Sequence, residues 1–259
     1  MDADLHSILA ADEGPALRVV NANATSPVVI VCEHASNRLP RALGNLGLDE
    51  AALSSHIAWD PGALAVALAL GTALGATVIA ANFSRLAYDC NRPPEAPGAM
   101  PARSEVYEVP GNARLGDAQK QARVQGLYKP FHAAVADALA ARGAGAVLVT
   151  IHSFTPVYFG QPRAVELGIL HDQDSRLADA MLAQAAAHTT LKTERNQPYG
   201  ADDGVTHTLQ RHAIKSGILN VMIEIRNDLL ASAAGQAKAA QELASLLSAA
   251  LASPRGAVA

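Results

Sequence analysis

Ala146 to Phe154 reads AVLVTIHSF, and this stretch decides the fold. A run of β-branched and aliphatic residues stops at a histidine and a small hydroxyl residue. Arg142-Gly143-Ala144-Gly145 precedes it and Pro156 follows, so it reads as a buried strand of a parallel or mixed sheet. In open α/β sheets the chemistry collects just beyond the carboxyl ends of the strands. His152 stands at such an end. Taken alone, it is as well explained by a hydrogen bond at a strand-to-loop corner, but other apolar runs of the chain end in the same manner.

Pro27 to Cys32 (PVVIVC) runs into Glu33-His34-Ala35-Ser36-Asn37. Thr77 to Asn82 runs into Ser84-Arg85-Leu86-Ala87-Tyr88-Asp89-Cys90-Asn91-Arg92, and Ile218 to Ile225 (ILNVMIEI) carries Glu224 near its end. Leu167–His171 and Leu191–Glu194 read as shorter strands. Between them, helical patterns cover 49–56 with Asp49 as N-cap, then a segment opened by Trp59-Asp60-Pro61-Gly62 and running to Leu74. Further helices are expected over 117–141, 175–188, 207–215 and 229–251, with the last residues, ASPRGAVA, frayed. Pro93 to Gly116 is a long irregular loop rich in Pro, Gly and Ala, of the kind that forms lids or binding loops. Asn196-Gln197-Pro198-Tyr199-Gly200 is a turn by composition.

The 259 residues suit one α/β domain over 1–259, and the high alanine and glycine content suits close packing of helices on a sheet. A net charge of -4 and a pI near 6.1 leave no basic footprint for nucleic acid or an anionic membrane. Cys32 and Cys90 form no disulfide framework and fit no cysteine-based zinc spacing, which points to a reducing cytoplasm. MDADLHSILAADEG lacks a basic n-region and an apolar h-region and is not a signal peptide. Pro61 to Asn82 is uncharged and long enough to span a membrane, but Gly71 and Gly75 break it into helix, turn and strand. No motif bears on oligomeric state.

The polar groups at the strand ends are Glu33 and His34, the Asp89-Cys90-Asn91-Arg92 segment, His152 with Ser153, and Glu224 with Arg226 and Asn227. Buried charges at sheet ends cost several kcal/mol unless paired or bound to a metal. Imidazoles and carboxylates arriving together are explained by a cation, with Zn2+ the natural choice. A catalytic zinc takes three protein ligands and leaves a position for water, whose pKa it lowers to about 7. A separate carboxylate then carries the proton from water to the leaving amine, and arginines hold an anionic substrate by forked hydrogen bonds. Ser153 beside His152 does not make a serine hydrolase, since adjacent strand residues cannot pair as nucleophile and base and no G-x-S-x-G elbow exists. No Gly-rich loop joins a strand to a helix in a phosphate-binding pattern.

The segments CEHASNRLP, SRLAYDCNRP, TIHSFTP, NQPYG, GVTHT and IEIRNDL, in that order, resemble the N-formylglutamate amidohydrolase family from about Val28 to Leu230. More distantly they resemble zinc carboxypeptidases and the succinylglutamate desuccinylase group. The resemblance implies a three-layer α/β/α sandwich with a mixed, mostly parallel sheet, of the zinc-exopeptidase and phosphorylase-hydrolase kind. It also implies one Zn2+ per chain on His34 and His152, Glu224 as general base and Arg85 as a cation near the scissile carbonyl. Asn91 and Arg92 become the clamp on the substrate carboxylate. Apart from the resemblance, Tyr199 and His207 either reach the substrate or hold their loop, and Arg226 is a further expected substrate contact.

The chain departs from the H-x-x-E pattern, because Asn37 stands where a ligand glutamate would be. Asp60, at a loop-to-helix junction, is the expected third ligand and Glu33 the alternative. The expected activity is hydrolysis of N-formyl-L-glutamate to formate and glutamate in histidine degradation. A deacylase of another N-acyl amino acid or peptide-like metabolite, and a non-catalytic binder of acidic metabolites, remain the rivals. His132 is expected to cap or pack a helix surface, and His6, His56, His171, His188 and His212 to be structural or exposed.

Overall fold

The computed structural model describes residues 7–253; the first six residues and the tail from Pro254 onward, part of the stretch expected to fray, lie outside the described residues. The strands are β1 (Leu17–Val20), β2 (Val28–Cys32), β3 (Thr77–Ala81), β4 (Arg103–Ser104), β5 (Tyr107–Glu108), β6 (Val147–Phe154), β7 (Val157–Tyr158), β8 (Gln161–Pro162), β9 (Leu167–Leu170), β10 (Thr193–Arg195) and β11 (Leu219–Arg226). The helices are α1 (Glu50–Ser54), α2 (Ala63–Leu74), α3 (Asp117–Arg123), α4 (Lys129–Ala140), α5 (Arg176–His188), α6 (His207–Leu209) and α7 (Ala233–Ala252). Asp49 caps α1 as expected, its side chain accepting the Ala52 N–H at 2.8 Å.

Seven strands make one sheet in the order β1-β3-β2-β6-β11-β9-β10. The pairs β2–β3, β2–β6, β6–β11 and β9–β10 are parallel, whereas β1–β3 and β9–β11 are antiparallel. The fold is therefore a three-layer α/β sandwich around a mixed, mostly parallel sheet. Every residue of β2, β3 and β6 is buried, as parallel strands covered on both faces require. No described helix is long and apolar enough to cross a membrane.

Strand alternation divides the core. Val28, Ile30, Val147, Val149, Val221 and Ile223 face α2, α5 and α7. Val29, Val31, Leu148 and Met222 face the other layer, built on α4 and the segment before it. Continuing the second parity one or two steps along each strand reaches Glu33, His152 and Glu224. Two polar side chains on β6 and β11, and one just past the end of the neighbouring β2, thus share the α4 face at the carboxyl end of the sheet.

Several expectations change at the edges. β1, an exposed and polar-flanked edge strand, carries no long apolar run that would announce it. The 93–116 segment is not wholly irregular, since β4 and β5 pair as a short hairpin within it. The helix expected over 117–141 contains a π-helical turn at Val124–Tyr128, and the one over 207–215 contains another at Gln210–Ile214.

Candidate active site

His34 lies just past the end of β2, Asp60 just before α2, and His152 near the carboxyl end of β6. The chain holds the first two together through its backbone, where the Asp60 N–H donates to the His34 carbonyl at 2.9 Å. Nδ1 of His34 and Nδ1 of His152 are 3.2 Å apart, and Oδ2 of Asp60 lies 3.2 Å from the first and 2.9 Å from the second. All three residues are buried. Four donors arranged tetrahedrally around zinc at its usual bond lengths are roughly 3.3 Å from one another. The triangle of two imidazole nitrogens and one carboxylate oxygen fits that spacing.

Each imidazole turns its other nitrogen toward a second buried carboxylate. Nε2 of His34 meets Asp89 Oδ1 at 2.7 Å, and Nε2 of His152 lies 3.2 Å from Glu33 Oε2, out of line for a hydrogen bond. Carboxylates behind ligand histidines commonly fix the ring tautomer and orientation. Arg85 joins the two shells, reaching Asp60 Oδ1 at 3.4 Å and Asp89 Oδ2 at 3.1 Å. Against burial, which opposes ionisation, His34 holds Asp60 well below the usual carboxylate range, and His34 with Arg85 does the same for Asp89. Burial lowers the basicity of His152, but Glu33 and Asp60 outweigh it and raise the ring well above its ordinary value.

With both imidazoles neutral, as metal ligation requires, the charges do not balance within the chain. Glu33, Asp60, Asp89 and Glu224 are all buried, and Arg85 is the guanidinium that reaches into this group. Eight buried side-chain polar atoms among the described residues lack a hydrogen-bond partner. Six of them gather here: both Glu33 oxygens, His56 Nδ1, His152 Nε2, Thr208 Oγ1 and Glu224 Oε2. Native interiors leave few such atoms, so this concentration suits a site built around a cation. The residues fit a divalent metal.

Glu224 stands opposite His152 in the β6–β11 register and so projects from the same face. Burial pushes its carboxyl up to about 7, with His152 opposing the rise and Asp60 adding to it. A carboxyl that exchanges a proton near neutral pH suits a general base. The cleft beside it measures about 360 Å³ and is lined by His34, His56, Asp60, Arg85, Asn91 and Arg92, with His152, Tyr199 and Glu224 on its inner side. Tyr199 reaches the cleft because the turn bearing it lies directly on β9, where a Cβ on Gly168 would come within 1.9 Å of the Gln197 carbonyl oxygen.

Arg92 and Asn91 line the cleft but are partly committed elsewhere. Arg92 Nη1 donates to the carbonyls of Asp203, at 3.0 Å, and of Gly204, whose left-handed φ of +68° and lack of a Cβ admit the guanidinium. Asn91 donates through Nδ2 to the Val205 carbonyl and accepts the Thr208 N–H at 3.0 Å, which braces the 205–208 segment.

Two expected substrate contacts are not brought in. His207 turns away from the cleft to meet the Tyr128 hydroxyl at 2.9 Å. Arg226 is held outside by Asp228 at 2.8 Å and Glu166 at 3.3 Å. Glu33 faces Nε2 of His152 while Asp60 faces Nδ1, so the alternative third ligand lies at the wrong end of the ring. The sequence names Asp89 only as part of its strand-end segment and gives it no role, and it leaves His56 as structural or exposed, whereas both stand at the site. Asp89 sits two residues before Asn91, and His56 lies four residues before Asp60 in the turn between α1 and α2, with Nδ1 3.6 Å from Asp60 Oδ1 and burial pushing its pKa down to about 4.

Comparison with known proteins follows this geometry. The model of the N-formylglutamate amidohydrolase family matches residues 26–231. A crystal structure of a gene product from Agrobacterium tumefaciens is 55% identical with a TM-score of 0.91, covering 94% of this chain and 98% of its own. An N-formylglutamate amidohydrolase from Ralstonia eutropha JMP134, at 19% identity and a TM-score of 0.61, covers 90% of this chain and 96% of its own and is alike in fold. No functionally curated protein matches the chain in sequence.

Proposed function

The chain belongs to the N-formylglutamate amidohydrolase family, and on that premise we propose that it is a zinc-dependent amidohydrolase cleaving N-formyl-L-glutamate to formate and glutamate. The observation that supports this reading most is the meeting of His34, Asp60 and His152 within 4.8 Å beside the buried, unpartnered Glu224. When bound by those three residues, zinc would supply a Lewis acid that makes water acidic near pH 7 and polarises the formyl carbonyl. Glu224 takes the proton from the attacking water and returns it to the leaving amine. Arg85, fixed by Asp60 and Asp89, presents a cation toward the carbonyl oxygen as charge develops there. Arg92, with its remaining guanidinium donors, orients the substrate carboxylate, and Asn91 holds the loop against which it leans. The cytoplasm and histidine degradation are the setting this reaction suits.

The commitment of Asn91 and Arg92 to loop carbonyls favours a second reading, a deacylase of the same mechanism that takes another N-acyl amino acid. A panel of N-formyl and N-acetyl amino acids, assayed on the zinc-loaded protein, separates the two. Turnover of formylglutamate above all others is expected. Turnover of a different acyl amide alone would reassign the substrate and leave the mechanism, whereas a chain that takes up no zinc and hydrolyses nothing overturns both. Glu224→Gln is expected to lower kcat by roughly 10²–10⁴-fold while zinc content stays at one per chain.

A further inference from the structure

Glu33 is among the least explained charges in the molecule. It is 1% exposed, neither of its oxygens has a hydrogen-bond partner, and it is absent from the lining of the cleft. Its one ion-pair neighbour among the described residues is His152, whose Nε2 lies 3.2 Å from Oε2. A glutamate that does not line the cleft is not placed to touch substrate. It meets the ring at the end opposite Asp60, so it is not placed to ligate the same ion either. A salt bridge to lysine or arginine is also missing within 4.0 Å among the described residues.

We infer that Glu33 is a positioning residue for the metal: it accepts the Nε2–H of His152 and thereby holds the Nδ1 lone pair on the metal axis. This rests on the reading of His34, Asp60 and His152 as a zinc site. The residue is put there by strand parity. Glu33 continues the face of Val29 and Val31, and β2 pairs in parallel with β6 up to Val31 opposite Thr150. β2 ends at Cys32, and Glu33, the first residue of the turn that follows, comes level with His152 on β6. The buried Thr208 hydroxyl lies beside the same carboxylate and likewise lacks a hydrogen-bond partner. Thr208 also donates its backbone N–H to Asn91 at 3.0 Å. Glu33 therefore lies between the ring of a metal ligand and the segment that Asn91 braces. At 3.2 Å, a hydrogen bond from the His152 Nε2–H to Glu33 Oε2 would satisfy two orphaned atoms at once.

Zinc affinity, measured by competition with a chromophoric chelator, tests this on wild type, Glu33→Gln and Glu33→Asp. Glu33→Gln keeps the shape and loses the charge, and is expected to weaken zinc binding by about 10–100-fold, the range for partners behind a ligand histidine. Glu33→Asp keeps the charge one methylene further back and is expected to fall between Gln and wild type. An affinity of Glu33→Gln within about twofold of wild type overturns the inference. A second reading needs no stable variant: in the zinc-loaded wild-type protein the His152 Nε2–H should appear far downfield in the proton spectrum and resist exchange with solvent. An exchange-labile proton at an ordinary shift would overturn the inference while leaving the zinc site intact. Wild-type protein that takes up no zinc overturns the metal reading itself, and this inference with it.

Discussion

Two groups of histidines in this molecule share almost the same spacing and differ in their company. His34 and His152 have ring centroids 4.9 Å apart, and His132 and His212 have theirs 5.0 Å apart. The first pair is surrounded by Asp60, Asp89 and Glu33. The second has neutral partners: His132 Nε2 donates to the Cys90 carbonyl at 2.9 Å, and its Nδ1 accepts from His212 Nε2 at 2.7 Å. Burial disfavours the charged ring in both places, but only in the first do carboxylates overcome it and raise the pKa. In the second, burial pushes His132 down to about 2 and His212 to about 4, and it lowers His207 beside them. Proximity of imidazoles does not by itself make a cation site. Excess buried negative charge does.

The largest effect should separate the two groups outright. His152→Ala is expected to reduce zinc affinity by more than about 100-fold, beyond the range for residues that act only behind a ligand. His212→Gln should leave that affinity unchanged. Chelator competition on both variants checks the contrast, and equal losses would erase it.

A middle-sized effect concerns Glu224, the carboxyl closest in character to the first group. Titrated by carbon NMR in metal-free protein, it should have a midpoint near the value of about 7 that burial gives it. A zinc ion on the neighbouring ligands favours the ionised form and should pull that midpoint down by about 1–3 pH units. No movement on adding zinc would mean that the ion binds elsewhere.

Much of this arrangement is legible in the sequence because strands announce both their existence and their facing. AVLVTIHSF and ILNVMIEI show their apolar faces plainly, and His152 and Glu224 follow from parity. The same parity places Glu33 with them, although reading it as a rival ligand missed which end of the His152 ring it would meet. That choice depends on the position of Asp60, a contact 92 residues apart in sequence. β1 was missed because an edge strand of four half-exposed residues has no apolar run. Arg226 and His207 stand in motif positions that suggest substrate contact, but Glu166, Asp228 and Tyr128 compete for them, and those partners come from distant or flanking segments with no pattern of their own.

The smallest effect tests the second group through stability. His212 has a folded pKa of about 4 against an ordinary 6.5 because burial penalises its charged form. Between those two values the unfolded chain binds a proton that the folded chain refuses, so stability is full above pH 6.5 and falls as pH drops toward 4. The partial exposure of this ring limits the loss to roughly 1–2 kcal/mol. Other groups also titrate in this window, which makes the absolute slope ambiguous. Urea unfolding of wild type and His212→Gln at pH 7 and pH 5 isolates the His132–His212 pair, since the titrating groups outside it are common to both. Wild type should lose more stability than His212→Gln between the two pH values. Equal losses would mean that the stacked pair already accepts a proton in the folded state, and the two histidine groups would then differ in degree rather than in kind.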